Sequence, residues 1–68
     1  MKPSEIRELT DQELRQQELH LRHELLNLRI QRTLGSIKSP ARLRQVRKDI
    51  ARLKTEMRMR QLKKETDQ

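Results

Sequence analysis

Gly35-Ser36-Ile37-Lys38-Ser39-Pro40 is the stretch that decides the fold, because here alone in the middle of the chain a helix has to stop. Gly35, the single glycine, suits the left-handed residue that closes a helix. Ser39 suits an N-cap, and Pro40 the first helical position, where a missing amide costs nothing. Residues 35–39 form a connection of five residues, the length expected between antiparallel helices. A continuous helix, and with it a long parallel dimer, would be broken at both Gly35 and Pro40.

Upstream, Thr10-Asp11-Gln12-Glu13 reads as a capping box, with Leu9 and Leu14 placed as a hydrophobic staple around it. Asp11 and Glu13 complement the helix dipole. The first long helix is therefore expected over 11–34, about 36 Å at 1.5 Å per residue. Downstream nothing interrupts a second helix over 40–65, about 39 Å by the same rise. Residues 66–68 are expected as a frayed tail. Residues 4–9 are expected as a short helical turn that lays Ile6 and Leu9 over the open end of the hairpin.

The two helices carry matching apolar seams. Leu43, Val46, Ile50, Leu53 and Met57 are spaced 3, 4, 3 and 4, and Leu14, Leu21, Leu25 and Leu28 form the counterpart. Facing each other, they make an all-α fold, an antiparallel two-helix hairpin with a short N-terminal turn, as a single domain over 1–68.

Composition sets the limits of such a fold. A chain of 68 residues without cysteine has no disulfide framework and no thiolate metal site. It also has no Phe, Trp or Tyr, the residues that dominate small cores and stack on unpaired bases. With 31% apolar and 40% charged residues it approaches the composition of disorder. The abundance of Leu, Arg, Glu, Gln and Lys nonetheless favours helix. No apolar run reaches membrane-spanning length, and no signal-peptide core follows Met1-Lys2. The expectation is a soluble, intracellular, helical chain that depends on a partner.

Charge points to that partner. Residues 1–35 hold six Lys or Arg against six acids, whereas 36–68 hold eleven against four, so the second part carries the whole net charge of +7. On a helical wheel Arg44, Arg47, Lys48 and Arg58 lie opposite the second seam, with Arg52 and Lys54 on the flanks and small Ala51 and Thr55 among them. Asp49 and Glu56 fall together on the other flank. A merely solvated face would interleave its signs. Here they are separated, as a surface for a phosphate backbone requires. Arg29, Arg32, Lys38 and Arg42, around the turn, complete the candidate RNA-binding set with Arg44, Arg47, Lys48, Ala51, Arg52 and Thr55. RNA is favoured over DNA because no recognition-helix architecture, zinc ligands or dimer zipper is visible. Without aromatics, splayed bases are poor targets, and folded RNA held by its backbone shape fits better. A membrane-surface helix would need Trp or Phe anchors and the apolar stripe that the first helix already requires.

The first helix has a second strip, Leu19, Leu26 and Ile30, roughly 140° from the seam at 100° per residue. A hairpin leaves it uncovered unless Ile6 and Leu9 reach it, so it is the candidate protein contact. His20 and His23 sit at i,i+3 on the outward face without a further ligand, so no metal and no cofactor are expected. No nucleophile, phosphate loop or convergent acid–base set is present, so the chain reads as a non-enzyme with no small-molecule substrate.

Ser39-Pro40-Ala41-Arg42-Leu43-Arg44-Gln45-Val46-Arg47-Lys48-Asp49-Ile50-Ala51-Arg52-Leu53 closely resembles the signature segment of the large-subunit ribosomal protein twenty-nine family. Asn27-Leu28-Arg29-Ile30-Gln31, Gly35 and Glu5-Ile6-Arg7-Glu8-Leu9-Thr10 sit where that family has similar elements. The resemblance covers residues 5 to about 55. It implies a helical hairpin bound to large-subunit ribosomal RNA near the polypeptide exit tunnel, in a cytoplasmic or an organellar ribosome. It also implies a neighbouring large-subunit protein at the tunnel rim, with nascent-chain-associated factors docking nearby. Arg29, Arg47, Lys48 and Arg52 match the family's basic positions, and Ala51 its small residue. Where many members carry Phe before Asn-Leu-Arg, this chain has Leu26, and Met59–Gln68 has no counterpart. The rival expectation is a regulatory helical hairpin, away from the ribosome, that binds a protein through the second strip.

Overall fold

A computed structural model of the chain describes residues 1–36 and 38–66, with the side chain of Thr66 left aside. It contains α1 (Pro3–Glu8), α2 (Asp11–Thr33) and α3 (Pro40–Thr66). Among the described residues there is no strand. Of the tail expected to fray, residues 67–68 lie outside the described residues, as does Ile37 in the turn.

Each boundary has a local cause. Thr10 and Glu13 form both bonds of the capping box: the Glu13 amide donates to Thr10 Oγ1 (3.1 Å) and the Thr10 amide to Glu13 Oε1 (2.9 Å). At the other end of α2 the Ser36 amide reaches the Gln31 carbonyl (2.8 Å) and the Gly35 amide the Arg32 carbonyl (3.1 Å). These are the two bonds of a Schellman cap, and they require the left-handed backbone that Gly35 adopts at φ 74°. The Arg42 amide then donates to Ser39 Oγ (3.4 Å), which starts α3 with Pro40 in its first turn.

α2 and α3 pack along their seams in a rod measuring 50 × 18 × 15 Å. Leu14, Leu21, Val46, Ile50 and Leu53 are buried between them, with Leu43 buried nearer the turn and Leu25, Leu28 and Met57 partly covered. α1 contributes Ile6 to the same core, and Leu9 and Met1 pack against its edge. The short helix lies mainly on α3. It leaves the second strip of α2 open: Leu19, Leu26 and Ile30 are 60%, 57% and 48% exposed.

Ion pairs fix the two ends. Near the turn Arg42 makes a two-pronged bridge to Glu24, Nε to Oε2 at 2.5 Å and Nη2 to Oε1 at 2.8 Å. At the open end Arg60 donates to Asp11 Oδ1 (2.9 Å), Glu56 Oε1 (3.0 Å) and the Arg7 carbonyl (3.0 Å), so one guanidinium joins all three helices. Lys64 adds a bond to Asp11 Oδ2 (3.2 Å).

Candidate nucleic-acid interface

The solvent face of α3 is set by what its seam excludes. With Leu43, Val46, Ile50 and Leu53 turned inward, helical periodicity leaves Arg44, Arg47, Lys48, Ala51, Arg52 and Thr55 outward, all exposed. From Arg44 to Thr55 they extend about 16 Å at 1.5 Å per residue. Arg44, Arg47, Lys48, Lys54 and Arg58 have no ion pair or side-chain hydrogen bond among the described residues. Five cations are thus held close together without local neutralisation, which gives the face a strong positive field.

The acids of α3 that could have quenched this field are engaged elsewhere. Glu56 is bonded to Arg60. Asp49, on the flank away from the basic face, is only 3% exposed. Its Oδ1 accepts from the Met1 ammonium (2.9 Å) and from Gln45 Nε2 (3.0 Å). Buried carboxylate oxygens, cut off from water, need such donors, and here they draw the side chain into the core edge under the start of α1.

The other candidate residues divide into two kinds. Lys38 and Arg42 line a shallow cleft at the turn with Leu28 and Gln31, and the Arg42 guanidinium is already taken by Glu24. Arg29 and Arg32, in the last turns of α2, are exposed and have no side-chain partner among the described residues. Arg52 stands between the kinds: its Nη1 donates to the Met1 carbonyl (2.6 Å), which pins it over the junction of α1 and α3. Thr55 Oγ1 donates to the Ala51 carbonyl (2.9 Å) and keeps its acceptor lone pairs outward.

Ionisation follows the same division. The Arg42 guanidinium holds the Glu24 carboxyl below the usual carboxylate range, and Arg60 followed by Lys64 does the same for Asp11. The Thr10 amide lowers Glu13. Arg42 and Arg60 are raised in return by Glu24 and by Asp11. These are fixed structural pairs. Among the described residues no cluster of His, Cys, Asp or Glu could hold a metal ion, and no helix is long and apolar enough to cross a membrane.

The hairpin with its unneutralised face extends over the same segment as a known family model, described as Ribosomal L29 protein, which matches residues 4–60. The chain belongs to the ribosomal L29 protein family. It is similar to the protein named large ribosomal subunit protein uL29 from Geobacillus stearothermophilus, at 55% identity over 78% of this chain and 80% of that protein. The uL29 of Alkaliphilus metalliredigens is 53% identical over 78% of this chain and 79% of its own length, and that of Natranaerobius thermophilus 55% over 78% and 82%. The L29 match begins inside α1 and ends at Arg60, so it includes the hairpin, the α3 face and the three-helix junction, but not residues 61–68.

Two residues of this L29 chain escape sequence reasoning. Arg7, on α1, lies beside Ala51 and Arg52 in a groove between α1 and α3. Arg60 reads on a wheel as one more surface cation, whereas it is the junction of three helices. Neither has a local signal, because partners 49 and 53 residues away meet only once the hairpin has closed.

Proposed function

We propose that the chain is a structural constituent of the large ribosomal subunit that binds ribosomal RNA through the outward face of α3. The observation that carries this reading is that Arg44, Arg47, Lys48, Lys54 and Arg58 are left without acidic partners while Asp49 and Glu56 are bonded elsewhere. Phosphates are the natural counter-charges for such a face, and releasing their condensed cations supplies the driving force. Membership of the L29 family, whose relatives carry large-subunit names, supports the same reading.

In this role the chain has no reaction of its own and works on the ribosome, in the cytoplasm for a bacterial cell. The site lies near the polypeptide exit tunnel. Arg29, Arg32, Lys38 and Arg42 extend the contact around the turn, and Leu19, Leu26 and Ile30 face a neighbouring protein at the tunnel rim, where nascent-chain-associated factors also dock. The exposed strip equally favours the second reading, a regulatory hairpin that binds a protein off the ribosome. Co-sedimentation separates the two. A ribosomal constituent sediments with large subunits, is released by rising salt, and binds deproteinised large-subunit RNA. A regulatory hairpin does none of these. Density for the chain in an assembled subunit tests its position relative to the tunnel.

A further inference from the structure

α1 does not lie flush on α3. Between them runs an open groove of about 370 Å³, within the size range of small-ligand clefts, roughly 300–1,000 Å³. Its apolar surface comes mainly from Pro3, Ala51 and Met59 above the buried Ile6, and Arg7, Arg52 and Thr55 stand around it. Ala51 keeps the groove open, because a larger side chain at that position would enter it. Both arginines are held by backbone carbonyls, Arg52 Nη1 by Met1 (2.6 Å) and Arg7 Nε by Pro3 (3.4 Å). Each retains further N–H donors. The one acid that touches the groove, Glu56, is bonded to Arg60. The groove therefore combines an apolar surface with two pre-positioned planar cations, and it borders Arg47 and Lys48 along α3.

We propose that this groove receives one unstacked base of the bound RNA, with the adjoining phosphates on Arg52, Arg47 and Lys48. The inference rests on the RNA-binding reading and adds a base-sized subsite to it. The chain's lack of aromatic side chains removes the usual platform for an extruded base, but two other surfaces serve. Guanidinium planes stack on bases, and a thioether makes favourable contacts with aromatic rings. Arg7, Arg52 and Met59 supply both. Charge complementarity selects the occupant: an apolar peptide side chain would gain nothing from two cations at the rim, whereas a nucleotide brings a π-face and a phosphate together.

The test binds the full chain to deproteinised bacterial large-subunit RNA. Two readouts are followed: the salt dependence of affinity, and the reactivity of base edges and of the sugar backbone to chemical probes. Ala51→Leu fills the groove without changing charge, and Ala51 is exposed, so helicity by circular dichroism should be kept. Its affinity should fall roughly tenfold with an unchanged salt slope. One base edge protected by the wild type should become reactive while backbone protection persists. Met59→Ala, also at an exposed position, should expose the same base. Wild-type affinity in Ala51→Leu, a smaller salt slope, or no base protected by the wild type would each overturn the proposal. So would a defect seen only when other ribosomal proteins are present, which would mean a protein occupant. Arg47→Ala/Lys48→Ala separates the two levels: if it shifts the slope while Ala51→Leu is silent, only the groove assignment fails. If it leaves the slope unchanged, the RNA reading fails and the groove assignment with it.

Discussion

Single-charge substitutions can distinguish the free cations of α3 from the paired ones, although all remove one positive charge. Each phosphate contact contributes about 0.7 to 0.9 to the slope of log affinity against log salt. The five unpartnered cations on α3 therefore contribute about −3.5 to −4.5 to that slope, and the contacts proposed at Arg52 and around the turn add to it. Raising salt from about 50 to 200 mM should therefore weaken binding by at least roughly a hundredfold to five hundredfold. Arg47→Ala or Lys48→Ala removes one contact, so its loss over the same range should be about threefold smaller than that of the wild type. Arg60→Ala removes the same charge, but its guanidinium is bonded to Asp11, Glu56 and the Arg7 carbonyl, so the slope should stay at the wild-type value. Its effect should appear instead as a lower melting temperature. Filter binding to deproteinised large-subunit RNA across a salt series, with a thermal melt of each protein, makes the comparison. If Arg60→Ala flattens the slope as much as Arg47→Ala, the protein binds through net charge alone, and the division between paired and free cations has no functional meaning.

Further outcomes follow from the rest of the fold. Leu53 is fully buried at the centre of the seam, so Leu53→Ala should cost about 2–3 kcal/mol in a urea titration, at the low end for buried leucine because a thin rod can relax around the gap. Nothing stands near the Cβ position of Gly35, so Gly35→Ala should cost about 1–2 kcal/mol purely from left-handed backbone strain. Gly35→Asn should cost less. The carboxyls of Asp11, Glu13 and Glu24 lie below their ordinary values of 3.8 for Asp and 4.5 for Glu. The stability they contribute is complete above those values and lost as pH falls through the lower folded ones. Helicity at 222 nm should therefore decline below about pH 4, and Glu24→Gln should flatten part of that decline. The isolated protein should melt broadly, and a sharp transition above about 70 °C would reveal a core or oligomer beyond the hairpin.

The hairpin was legible because its signals are local. Gly35, Ser39 and Pro40 each carry a backbone preference, and a seam repeating at 3 and 4 names the buried face without knowledge of the partner helix. The outward cations follow from the same periodicity. Which of them are free does not. Arg42 with Glu24, and Arg60 with Asp11, pair across helices, so their partnership depends on how far one helix slides along the other. Periodicity is silent on that displacement. The seat of α1 was legible only in part: Ile6 and Leu9 pointed to the open end of the hairpin, where both pack on the core, but not to α3 as the main support. A six-residue helix with a single buried side chain, Ile6, has too little pattern to aim itself, and its orientation is decided by Arg52 on the Met1 carbonyl and Arg60 on the Arg7 carbonyl. The burial of Asp49 was illegible for a related reason: one of its two donors, the Met1 ammonium, comes from the far end of the chain.

The bond from Arg60 to the Arg7 carbonyl closes a loop of 53 residues, whereas the α2–α3 pairing can begin across the short turn at Gly35. Closing the longer loop directly has the higher entropic barrier, so assembly should zip outward from the turn and seat the N-terminal helix last. Opening runs in reverse. The amides of α1 should therefore exchange with solvent far sooner than those around Val46, even though Ile6 is as well covered as the centre of the seam. Ribosomal RNA that engages α1 and α3 together would hold the final step shut, and slowed exchange at residues 4–8 would be its kinetic signature.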